Sequence, residues 1–189
     1  MKKRRFVILI IVVIIFIYFL IGYRLTALGA AKNHTFLSND AVLMEDYELG
    51  SFSIFLFKSD DEEMYRTVLV EKAGLLFRST NSTYIPYNSD ILQTVGGMSF
   101  TLKNEEATFL SIVSNDEEIA YIEAGAESYT ERKEISMGER ISFLFPFSKQ
   151  INFLNPIAFD KYGNELYYYG YPKNTNVFKN EDLKWHKMK

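Results

Sequence analysis

Glu71 in "VLVEK" and Glu123 in "AYIEAG" are carboxylates set among apolar neighbours, where desolvation raises a carboxyl pKa and suits the group to donate a proton. Two such groups about 5–10 Å apart across a cleft would serve glycosidic bond cleavage. Glu71 and Glu123 are therefore the catalytic candidates if the protein is an enzyme acting on envelope glycan. Strand alternation offers the plainer account, with each glutamate on the solvent face of a sheet. Other catalytic inventories are thin. The chain has no cysteine, which removes thiol nucleophiles and Cys/His zinc sites. Its two histidines, His34 and His186, lie toward the ends of the chain. No Ser-x-x-Lys pair occurs, and Gly96–Gly97 is the nearest approach to a glycine-rich phosphate loop. Neither a cofactor nor a metal is expected.

Residues suited to binding are more plentiful. "SDDEEM" at 59–64 and "SNDEEI" at 114–119 are near copies that read as turns between strands, and their carboxylates, Asp60, Asp61, Glu62, Glu63, Asp116, Glu117 and Glu118, offer a basic partner two docking points. Calcium is a poor match, because it needs spaced oxygens and a glycine turn, and consecutive side chains diverge. The run "ELYYYGY" concentrates tyrosines: on one strand Tyr167, Tyr169 and Tyr171 share a face and Tyr168 takes the other. Such a row either packs a core or grips sugar rings or a peptide. A polar stretch with Pro86, 79–90, reads as a loop long enough to be a functional surface.

The elements that must carry these residues are strands. "FSIFLFK", "YRTVLVEK", "LLFRS", "GMSFTLK", "TFLSIV", "IAYIEAG" and "RISFLFPF" are short, rich in apolar, aromatic and β-branched residues, and spaced by turn formers. "IAFDKYGNELYYYGY" is a hairpin around Asp160, Gly163 and Asn164. With eight to ten strands and no amphipathic helix, the expected fold is an antiparallel β-sandwich, with an open β-barrel as the alternative. The basic tail 176–189 either forms a last edge strand guarded by lysines or lays Trp185 on a membrane surface.

Ahead of these strands, Phe6 to Tyr23 carries no charge over 18 residues and follows Lys2, Lys3, Arg4 and Arg5. As a helix it would rise about 27 Å, near the roughly 30 Å of a bilayer's hydrocarbon. The basic cluster places the N-terminus inside. The expected organisation is a cytoplasmic N-terminus (1–5), a transmembrane anchor (6–23), a spacer (24–35), one extracytoplasmic β domain (36–175) and the tail. The alternative is secretion after cleavage near Gly29 to Ala31. Beyond Arg24, 16 of the 21 basic residues face all 24 acidic ones, a formal charge of −8. That balance disfavours nucleic acid, whose phosphates need Lys and Arg. A membrane-anchored, non-catalytic binding role follows, toward an envelope protein or a surface polymer, or a structural place in a membrane complex. Nothing in the residues specifies an oligomeric state.

Overall fold

The computed structural model describes residues 2–126, 129–173, 176–177 and 179–188. It is mainly β, and its strands pair antiparallel. Where one domain is expected, the chain divides into two compact units, Met1–Ser82 and Thr83–Lys189.

The first unit opens with α1 (Lys2–Leu20). This helix stops short of Tyr23, because Gly22 takes a φ of 92° and turns the chain. Its apolar part, Phe6 to Leu20, rises only about 22 Å. Among the described residues no helix is long and apolar enough to cross a membrane. Within the expected spacer lies a six-residue helix, α2 (Ala27–Lys32), whose N-cap Thr26 accepts the Gly29 N–H at 3.0 Å. Any side chain at position 29 would meet that Thr26 oxygen. So short a helix is marginal alone. It holds because Ala30 and Ala31 are fully buried against Phe55, Phe57, Val68 and Val70.

Those four residues belong to an antiparallel meander of β1 (Val42–Leu49), β2 (Phe52–Ser59), β3 (Met64–Ala73) and β4 (Leu76–Pro86), in that order across the sheet. The sequence pattern anticipates β2, β3 and the start of β4. It misses β1, whose "MEDYEL" lacks an apolar face, and it reads 79–90 as a loop. The chain instead stays extended through Pro86. Thr80 Oγ1 donates to the Leu69 carbonyl of β3, so hydroxyls and the neighbouring ladder supply what apolar alternation does not. Arg24 exchanges backbone hydrogen bonds with Phe77, 2.8 Å each way, which ties the start of this unit to β4.

The second unit is β-sandwich-like. One sheet is β5 (Leu92–Leu102), β6 (Glu105–Ser114) and β9 (Arg140–Phe145). The other has the order β12 (Lys184–Lys187), β11 (Glu165–Gly170), β10 (Ile157–Phe159), β7 (Tyr121–Ala126) and β8 (Tyr129–Glu134). Leu110, Ile112, Phe143 and Phe145 meet Ile122, Ala158, Tyr167 and Trp185 in one core. Each large apolar side chain so buried contributes about 1.5–3 kcal/mol. Ala124 and Ala126 also face inward, while the backbone of Tyr129 and Thr130 passes within about 3 Å of where a Cβ on Gly125 would stand, so that position admits only glycine. The ladder of β9 ends before Pro146, and the 157–171 hairpin and the terminal edge strand β12 form where the pattern places them.

Candidate functional site

Trp185, on β12, is 8% exposed. It donates its indole N–H to Thr94 Oγ1 at 3.2 Å and meets Tyr169 edge-on, ring centroids 5.6 Å apart. Burial pushes the Tyr169 phenol up, and its side-chain hydrogen bond with Thr94 opposes that shift. Around this relay lie two adjoining cavities of about 400 and 380 Å³ that share Asp90, Leu92 and Trp185. The far wall of the larger one is Tyr84, Ile85 and Pro86 at the end of β4, followed by Asn88. Asn88 Oδ1 accepts the Asp90 N–H at 3.0 Å, and the Gln93 amide donates to the Asp90 carbonyl at 3.0 Å. These bonds fix the wall as a turn.

A second concavity, about 660 Å³, opens among Ile119, Ile135 and Leu166, with Glu117, Glu118, Glu134 and Asp160 on its walls. Met137 and Tyr162 stand exposed on its lips. Asp160 is committed to its hairpin: it accepts from the N–H groups of Tyr162 and Asn164 and from the Asn164 amide, and these bonds, that from the Asn164 side chain foremost, hold its carboxyl below the usual range. Among the described residues no group of three or more metal-binding side chains converges.

The sequence-derived candidates fall in several places. Tyr167 is buried in the core, where its O–H donates to Asp116 Oδ2 at 3.0 Å; burial first and that bond second push the phenol up. Tyr169 lines the Trp185 cleft, and Tyr171 is half-buried just past β11. Tyr168 points to the other face and stacks on His186. Asp116 is spent on structure, since its Oδ1 also accepts the Glu118 N–H. Glu117 and Glu118 reach the acid-walled groove.

Asp60, Asp61, Glu62 and Glu63 form the β2–β3 turn, with Glu63 left-handed at a φ of 49°. Lys58 pairs with Asp60 at 2.9 Å, and Arg66 lies 3.7 Å from Glu62. Asp40, unmarked in the sequence, braces this turn by accepting from the Ser59 hydroxyl and the Asp61 N–H. Hydrogen bonds from Ser38, Asp61 and Ser59 hold its carboxyl at about 2. Glu71 lies half-buried on β3 opposite Phe52. Glu123 sits on β7, 3.7 Å from the Arg132 guanidinium, which also lies 3.4 Å over the Tyr121 ring.

His34 meets two serines of β4. Its Nε2 lies 2.8 Å from Ser82 Oγ and its Nδ1 3.2 Å from Ser79 Oγ. A serine on a histidine nitrogen suggests an activated nucleophile. Such a base must be stabilised as imidazolium, yet burial and the nearby Arg66 charge both lower the His34 pKa. The cluster acts as a polar pin fastening the segment after α2 to β4. Because the folded-state pKa is depressed, the stability this pin contributes is present above the ordinary value of 6.5 and is lost as pH falls through the folded-state value. Denaturant unfolding at pH 7.5 and 5 is expected to show a steeper loss for the native chain than for His34→Gln. Equal losses would remove His34 as the cause.

Comparisons with protein-family models, with curated proteins and with solved structures return no match. Function therefore rests on the geometry.

Proposed function

We propose that the protein is a single-pass membrane-anchored domain displayed outside the cytoplasm, acting by binding at the cell envelope and not by catalysis. The observation that carries the binding half is the concave Trp185 cleft: rigid strands hold its aromatic groups, and a few fixed polar groups border it, the usual build of a ligand site. A protein surface that only filled space would have no reason to fix Thr94, Tyr169 and Asn88 around a cavity.

For anchoring, α1 from Phe6 onward is apolar on every face and its side chains are exposed all round, from Phe6 at 64% to Phe16 at 63%. Four basic residues, Lys2 to Arg5, form the start of the same helix. Tyr18 and Tyr23 pair edge-on at its far end beside Arg24, the arrangement of an interfacial anchor. A helix a few ångströms short is accommodated by local thinning and by snorkelling of the flanking lysines and arginines. Cleavage near Gly29 to Ala31 would remove α2 from the core of the first unit, which favours the uncleaved form.

The acid-walled groove supports a second reading, an envelope protein whose basic segment docks there. Membranes washed with alkaline carbonate are expected to retain the full chain, whereas a chain starting at Arg24 is expected to stay soluble; release of the full chain by carbonate would sink the anchor. Converting Glu117, Glu118 and Glu134 to Gln, all exposed, is expected to leave folding unchanged and to weaken capture of a basic envelope partner by about tenfold or more. Unchanged capture would remove that partner class from this groove.

A further inference from the structure

We propose that the Trp185 cleft is a saccharide-binding site that takes a neutral hexose unit of a linear glycan. This rests on the reading of the protein as a binding domain and adds the class of ligand. A pyranose ring has one face of C–H groups and a rim of hydroxyls. It needs an aromatic surface with hydrogen-bonding groups in fixed positions at its edge. The cleft has both. Tyr84, 62% exposed, stands on one lip, and Tyr169 faces the same cavity from β11. Tyrosine offers an apolar face and a polar tip in one rigid side chain. Tyr169 cannot swing away, because Thr94 holds its oxygen and Trp185 packs against its ring.

The rim is equally fixed. Asn88 and Asp90 are locked together by the turn bond between them, and Gln93 anchors the Asp90 carbonyl. These short side chains carry both donors and acceptors, as hydroxyls require. One acid and one base, Asp90 and Lys184, border the larger cavity, so it has no formal net charge. A polyanion or a basic peptide would gain nothing there, whereas a neutral ring loses nothing. At about 400 Å³ the cavity lies within the roughly 300–1,000 Å³ of small-molecule sites. The second cavity continues it past Leu92 and Trp185, a path for the next residue of a chain. A proline-rich peptide also docks on aromatic grooves, but it needs bare aromatic ridges, and here Trp185 is sunk in the core.

Trp185 is the only tryptophan in the chain, so its emission reports on this cleft alone. The full chain in a sugar-free detergent would be titrated with a glucose tetramer, an N-acetylglucosamine tetramer and a proline decapeptide, with saturation-transfer NMR as a second readout. A saturable response to at least one saccharide is expected. Tyr84→Ala should weaken it about tenfold or more and Tyr84→Phe by less than about threefold, since stacking survives. The proposal is overturned if neither saccharide registers by emission or NMR, if Tyr84→Ala binds as the native chain does, or if the decapeptide alone binds. Such a failure leaves anchoring and partner capture, measured separately by carbonate extraction and pull-down, to stand or fall on their own.

Discussion

Trp185→Ala is expected to cost about 3–5 kcal/mol of stability, the range for removing a large buried aromatic. The indole sits in the core between the two sheets of the second unit, packs on Tyr169 and donates to Thr94. Truncation empties that space and leaves the Thr94 hydroxyl, 5% exposed, without its donor. It also removes the one large apolar side chain by which the four-residue β12 grips the sandwich. Domains of this size are stable by about 5–15 kcal/mol, so the loss is a large share of the whole. Urea denaturation followed by circular dichroism measures it. A loss under about 1 kcal/mol would mean that β12 is an ornament on the sandwich and that the cleft beside it is not rigid. Tyr84→Ala, at an exposed lip, provides the contrast: its stability should change by less than about 0.5 kcal/mol.

A chain starting at Lys32 is expected to be less stable than one starting at Arg24 by about 3–5 kcal/mol. The shorter chain lacks Ala30 and Ala31, which cover Phe55 and Phe57, and lacks the Arg24–Phe77 bridge. Re-exposing two phenylalanines accounts for most of the loss, at about 1.5–3 kcal/mol each. Ala31→Asp in the full chain should be comparably damaging, because an unpaired charge would be buried. Thermal unfolding of the two truncated chains decides it. Equal midpoints would show that α2 is dispensable and would restore cleavage near Ala31 as a workable way of releasing the domain.

Short-range chemistry was legible in advance. The 157–171 hairpin could be read because Asp160, Gly163 and Asn164 suit one turn, and Asp160 closes it with three hydrogen bonds. The twin acidic stretches were legible as turns for a similar reason: Ser59 Oγ accepts the Glu62 N–H, and Ser114 Oγ accepts the Asp116 N–H. Elements that depend on a distant partner were not legible. β1 and the far half of β4 lack apolar alternation, so only the strand beside them makes them strands. α2 reads as a cleavage site because its small residues carry no helical face of their own; the apolar surface of β2 and β3 supplies it.

The tyrosine run separates the two kinds of information most clearly. Period-two alternation by itself determined that Tyr167 and Tyr169 share a face and that Tyr168 takes the other. Which face would be core, that Tyr167 would be buried on Asp116 while Tyr169 borders a cleft, and that His34 would meet two serines some 45 residues away were decided only by tertiary structure. Backbone geometry and turn chemistry act over a few residues and so are written locally. Burial, desolvation and the convergence of side chains depend on which sheets meet, and that is settled by the whole core at once.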